Sequence, residues 1–453
     1  MSSRCGWGRS LRLASVASAL MLVVSAASWA GLISRPPAVG GVAINAEGVL
    51  TQADAEITKE LREELHKALR PAPAELNQPV ELRKISLRAI EDALAKSGKN
   101  NAYEIPEEIR YLAGIQRIQY VFVDPENHDV ILAGPGEGWR VDERANLVGV
   151  TTGRPVLRLE DLIVALRSVE NARQGGITVS IDPSDAGRRQ FEQYMKQQQA
   201  FSPAVLDGIQ KALGPQQITI TGVPATSRFA RTLAISDYKM KRIAMKLEAS
   251  PLRELPSFLD LMKEQRAKLT NMMPRWWMAC NYEPLAKSED GLAWELRGPG
   301  VKVLTEDEIV GAAGGTTGTG KANPVAQKWA DLMTEQYDEL AAREPVFGEL
   351  RNLMDLCVVA ALLSKEGLLQ KAQLELPTLQ GTQSRVELVS WPAPKTVDTQ
   401  CSFIKRDREY IITASGGVEI NSWEVASKAV ASPEVGQVRQ KAIRRTPGNL
   451  WWN

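Results

Sequence analysis

The stretch that decides the fold is residues 177–247, ITVSIDPSDAGRRQFEQYMKQQQAFSPAVLDGIQKALGPQQITITGVPATSRFARTLAISDYKMKRIAMKL. Ile177-Thr178-Val179-Ser180-Ile181 alternates apolar and polar, the period of a half-buried strand. Asp182-Pro183 reads as an N-cap followed by a first-turn proline, and Ser202-Pro203 opens a second helix. Ile218-Thr219-Ile220 alternates again. Thr226 or Ser227 then starts a helix whose stripe is Leu233, Met240, Ile243 and Leu247. Strand, helix, helix, strand, helix in 71 residues predicts an α/β or α+β protein with mixed sheets and packed helices.

Working outward, the same grammar continues. Val42-Ala43-Ile44 reads as a short strand. Thr51-Gln52-Ala53-Asp54 reads as a capping box ahead of Ile57, Leu61, Leu65 and Leu69, an amphipathic helix. Leu87, Ile90 and Leu94 mark another helix, and Pro106 with Glu107 and Glu108 a short one. Ile118–Val123 and Val130–Leu132 flank the turn Asp124-Pro125-Glu126-Asn127 and predict a hairpin. A tight loop follows at Gly134–Trp139, then a helix through Leu159, Leu162, Ile163 and Leu166. Past Pro251 and Pro256, a helix is expected near Phe258–Gln265, then strands at Leu292–Arg297 and Val301–Leu304. Asn323-Pro324 and Pro345 open two long helices, an αα-hairpin near 323–366. The remainder reads as β-rich, with strands at Val386–Val389, Tyr410–Thr413 and Val418–Ile420, a basic tail and Trp451-Trp452. Segments 31–250, 251–322, 323–368 and 369–453 follow as units. GGVAIN at 40–45, GGVEIN at 416–421 and GGITVSID at 175–182 echo one another too briefly to make a repeat.

The first thirty residues carry a destination. Arg4, Arg9 and Arg12 precede an apolar run from Leu13 to Val24, and Ser28 and Ala30 supply small residues before Gly31, the layout of a cleaved secretory signal peptide. The expectation is an exported, periplasmic or extracellular protein with no membrane span after cleavage. The 453-residue chain has Lys+Arg 55 against Asp+Glu 54; without the three leader arginines the balance is 52 against 54. The balanced charge removes the usual sign of a nucleic-acid binder, a strongly basic domain, and leaves a local basic patch open. Three cysteines remain after the leader, Cys280, Cys357 and Cys401; Cys357 reads as a packed thiol, and pairing of Cys280 with Cys401 stays open.

Several stretches together resemble a family of exported planctomycete proteins known only as a domain of unknown function. They are GPGEGWRVD at 134–142, TGRPVLRLEDLIVALR at 152–167, SDYKMKRIAMKLEASP at 236–251, MPRWWMACNYEPL at 273–285, DGLAWELRGPGVKVLTEDE at 290–308 and PVFGELRNLMDLCVVAALL at 345–363. The resemblance implies an exported protein of that type and lends no activity, cofactor or catalytic residue.

The chemistry that the residues allow is narrow. Gly315–Lys321 matches G-x-x-x-x-G-K, yet Ala322 stands where a hydroxyl should hold Mg²⁺, and Glu306-Asp307-Glu308 ahead of it does not read as a buried strand, so a Gly/Thr linker is expected. His66 sits on the polar side of the first helix and His128 in the hairpin turn, neither in a metal-ligand spacing. Asp124, Glu126 and Asp129 lack the Gly and Glu of a calcium loop. Lys239, Lys241, Arg242 and Lys246 read as a solvated helix face. No catalytic residue, cofactor or metal ligand is assigned. Tryptophan is frequent, 11 against Phe 7, and Trp139, Trp276 and Trp277 are the candidate ligand surface, since an exposed indole stacks on sugars or anchors a partner. The expectation is a non-catalytic binding or interaction protein of the cell envelope with a protein or glycan partner. The alternatives are a carboxylate-dependent hydrolase of an envelope or extracellular glycan and, more remotely, a degenerate nucleotide binder.

Overall fold

The computed structural model describes residues 41–97, 105–198, 203–264, 273–310, 316–381, 388–405, 409–445 and 448–453. The leader and the expected strand start at Val386 lie outside them. Within them, the opening stretch folds as read: strand Ile177–Asp182, helices Asp185–Gln197 and Pro203–Leu213, strand Gln216–Thr221 and helix Arg228–Ala244. The two strands are antiparallel neighbours with Val179 opposite Ile220 and Ile181 opposite Ile218. Ile177, Val179 and Ile181 are buried and the residues between them half-buried, which is the alternation that the sequence shows. The caps differ in detail. Ser184, not Asp182, caps the first helix by accepting from Gly187 N, because Asp182 still belongs to the strand. Asp54 caps the helix Ala55–Ala68 by accepting from Glu56 N, while Thr51 and Gln52 end the strand Val49–Gln52.

That pair sits inside a nine-stranded sheet drawn from every part of the described chain. In spatial order it runs Val42–Ile44, Val49–Gln52, Thr396–Val397, Gln216–Thr221, Ile177–Asp182, Ser415–Ile420, Met273–Asn281, Gly300–Val310, Thr316–Gly318. Pairing is mixed: Ser415–Ile420 is antiparallel to Ile177–Asp182 and parallel to Met273–Asn281. A second sheet of seven strands has the hairpin Tyr120–Asp124 and Asp129–Gly136 near its middle, with Ala429–Ala431 and Trp451–Trp452 at its edges. The fold is therefore of the mixed α/β or α+β class. Strands from 31–250, 251–322 and 369–453 share the large sheet, so positions 250 and 322 do not divide one sheet from another. The three Gly-Gly echoes all enter strands of that sheet.

The helical hairpin forms, with one break. Asn323 caps Pro324–Glu335, Tyr337–Arg343 follows after Gln336, and Pro345–Lys365 returns. The last of these is buried on all sides from Pro345 to Leu363, as an apolar-all-round helix must be. Several of its polar groups are held: Asp355 accepts from Ile118 N at 3.1 Å and from the Tyr282 hydroxyl at 2.7 Å, and Asn352 donates to Pro155 O at 3.2 Å, while Asn352 Oδ1 and Arg351 Nε have no hydrogen-bond partner among the described residues. Among the described residues no helix is long and apolar enough to cross a membrane. The final segment is less purely β than expected, since Leu368–Ala372, Ser422–Ala426 and Pro433–Ala442 are helical. The helix Pro433–Ala442 runs into the basic tail because Pro433 at its first turn and spaced Val435 and Val438 pack on the second sheet.

Candidate functional site

The tryptophan surface is not a surface. Trp276 is fully buried, with Phe258 and Trp329 edge-on at 5.0 and 5.2 Å. Trp139 is buried against Tyr111 at 5.3 Å, in the two-stranded ribbon formed by Trp139–Val141 and Leu147–Gly149. Only Trp277 is half-buried, because adjacent residues of a strand face opposite ways, and the Arg275 guanidinium covers it at 5.1 Å. Burial of the other two removes the rings that a sugar or partner would need.

The lysine face is also corrected. Lys239 and Lys241 are buried. Lys241 donates to Asp237 Oδ2 at 2.9 Å and to Ile181 O at 2.6 Å. Lys239 pairs with Glu248 and Glu344 at 2.9 and 3.2 Å. Lys246 alone of the four is exposed. The helix Arg228–Ala244 lies between the sheet and the hairpin helices, so even its charged residues are enclosed.

Glu306, Asp307 and Glu308 do lie in a strand, Gly300–Val310, with Asp307 and Glu308 buried. Thr316–Gly318 is not a linker but an edge strand returning on it, Glu308 opposite Gly318. Gly320 N donates to Glu306 Oε2 at 3.4 Å. A carboxylate thus stands at the loop where a phosphate would need backbone N–H groups and a positive field. His66 and His128 are exposed. Cys280, Cys357 and Cys401 are all free thiols, and burial pushes Cys280 up to about 12, which leaves it protonated and a poor nucleophile.

The arrangement that gathers chemistry lies elsewhere. A cavity of about 200 Å³ opens beneath the amphipathic helix Ala55–Ala68. Leu61, Leu65 and Leu69 form its roof, and Val141 and Leu147 of the tryptophan ribbon form an apolar wall. Its floor is basic. Arg158 stands just before the helix Leu159–Arg167, and Arg228 and Arg231 sit one turn apart on the helix Arg228–Ala244. Glu107, Arg110, Tyr111 and Trp391 also line it.

The arginines are not equivalent. Arg228 is buried and donates to Asp161, with Glu349 also in contact. Arg231 is buried and lies 5.2 Å over the Trp391 ring; burial and the neighbouring Arg228 pull it down to about 10. Arg158 is the least engaged. Its nearest carboxylate oxygens, on Glu160 and Glu349, are 4.0 and 3.9 Å away, and its Nε is buried with no hydrogen-bond partner among the described residues. The indole Nε1 of Trp391 and Oε2 of Glu107 are likewise buried without a partner. Burial raises the carboxyls of Glu107 and, behind Arg228, of Asp161, the latter to about 7. Enclosed apolar walls with a few convergent polar groups of shifted pKa are the marks of a ligand site.

None of these lining residues stood out in the sequence except as parts of elements. Leu61 and Leu65 were legible as a helix stripe. Arg228 and Arg231 occur three apart in SRFARTL, a mixed stretch that gives no local sign of their burial. Arg158 and Trp391 carry no local signal, since they are 233 positions apart in the numbering and meet only through the fold. No curated protein and no solved structure matches the chain. A family model described as a protein of unknown function (DUF1598) matches residues 179–258, from the second residue pair of the central strand through the arginine-bearing helix.

Proposed function

We propose that the chain is an exported, non-catalytic binding protein of the cell envelope that holds a small ligand in the cavity beneath Ala55–Ala68. The leader-like layout of residues 1–30 motivates the export half. One observation carries the binding half: Arg158, whose terminal nitrogens have no carboxylate oxygen nearer than 3.9 Å, lines an apolar-walled cavity. Arg158 Nε and Trp391 Nε1 are themselves closed to solvent, so a ligand meets Arg158 at its terminal nitrogens. This cavity lends the glycan-hydrolase alternative no support. Glu107 is the carboxylate on the cavity wall, whereas that chemistry needs two facing one substrate.

Ligand-observed NMR of a fragment mixture tests the binding half, using the full chain and a Leu65→Trp variant that fills the cavity. Fragments that bind the first and not the second support the reading; binding indifferent to Leu65 rejects it. N-terminal sequencing of the exported protein tests the other half, with Gly31 as the expected first residue.

A further inference from the structure

We infer that the ligand of this cavity is a small amphipathic carboxylate, its anionic head on Arg158 and its apolar body between the Ala55–Ala68 helix and the Trp139–Val141 ribbon. The inference rests on the binding reading above and names its ligand class. Size sets the first limit. An apolar cavity of about 150 Å³ accommodates benzene, so about 200 Å³ takes one ring or a short chain with a carboxylate and little more. Drug-sized ligands need about 300–1,000 Å³.

Charge sets the second. Arginine predominates on the lining, with Glu107 as the opposing carboxylate. Arg228 is spoken for by Asp161 and Glu349, but Arg158 has no carboxylate oxygen within 3.8 Å and donates no two-bond fork to either Glu160 or Glu349. A planar guanidinium binds a carboxylate through two parallel N–H donors, and an uncharged ligand would leave that capacity unused. A cationic ligand would meet Arg158, Arg228 and Arg231 at close range in a poorly solvated site, where like charges repel strongly. The third limit is polarity along the ligand. Leu61, Leu65 and Val141 offer nothing to a charged group, so the part of the ligand that lies against them is apolar.

Three isosteres separate the possibilities on the unmodified full chain: benzoate, benzamide and benzamidine. Calorimetry and thermal unfolding should show benzoate binding at least about tenfold tighter than benzamide, with no detectable benzamidine binding. Arg158→Met should remove that benzoate preference and leave benzamide unchanged, and Arg158→Lys should recover part of it. Because the isostere comparison needs no variant, a poorly folded Arg158→Met protein leaves the test intact. Benzamide equal to benzoate, with both lost in Leu65→Trp, would overturn the carboxylate class and leave the cavity reading standing. Binding by none of the three overturns both.

Discussion

At the scale of single residues, the most consequential side chains are charges that the fold has enclosed. Asp237 and Lys241 lie one helical turn apart, both fully buried, and Lys241 also donates to backbone carbonyls of two strands. Lys241 thereby ties its helix to the sheet. Removing one partner of a buried pair strands the other charge, at about 3–5 kcal/mol. Asp237→Asn should lower the unfolding free energy by about 3 kcal/mol, measured by urea titration, whereas Asp237→Leu with Lys241→Met should recover most of the loss. Asp338 is a contrasting case. Its carboxylate meets Arg154 through two bonds of 2.9 and 2.7 Å and Arg351 at 2.6 Å. These guanidiniums hold its carboxyl well below the ordinary 3.8. The folded value lies below the unfolded one, so the stabilisation is complete above about pH 5 and is lost as the pH falls further. The side chain is 62% exposed, and water screens the pair to about 1 kcal/mol or less. Asp338→Asn should therefore be less stable than the parent at pH 7, with the gap closing below pH 4; a gap constant across that range would show that the loss is not electrostatic.

At the scale of elements, the strand Ser415–Ile420 shows how a short sequence signal acquires its meaning. Gly416 has φ +135°, and a Cβ there would lie 1.6 Å from Trp276 O on the neighbouring strand. Gly417 is equally tight, 1.8 Å from Val179 O on the other side. The two glycines let a strand pass between Ile177–Asp182 and Met273–Asn281, which is why Gly-Gly precedes Val418 and not merely that a turn occurs there. Gly417→Ala should destabilise by at least about 1 kcal/mol, since neither backbone neighbour is free to yield; an unchanged thermal midpoint would contradict this close approach. Trp276 on the adjacent strand fills the space between helix Phe258–Glu264 and helix Pro324–Glu335. Trp276→Ala should cost about 3–5 kcal/mol, and a folded variant with intact cavity binding would place that loss in packing, away from the ligand.

At the scale of the whole molecule, chain order and spatial order part company. The large sheet joins strands that begin at residues 42 and 415, so its centre is completed only when the C-terminal segment arrives. A chain ending at residue 368 would lack Ser415–Ile420 and leave Ile177–Asp182 and Met273–Asn281 unpaired along facing edges. Such a truncation is expected to aggregate or to lose cooperative unfolding, as monitored by circular dichroism and gel filtration. The sequence by itself determined the elements around 177–247, the hairpin at 118–132, the helical pair near 323–366 and the apolar faces of each, because period 2 and period 3.6 are properties of neighbours along the chain. Tertiary structure alone decided that Lys239 and Lys241 are enclosed, that Trp139 and Trp276 are core, and that Thr316–Gly318 is a strand. It alone also brought Leu65, Arg158, Arg231 and Trp391 around one cavity. Burial depends on what packs across from an element, and here the partners range from Phe258 and Trp329 around Trp276 to Gly416 on Lys241, beyond the reach of any local pattern.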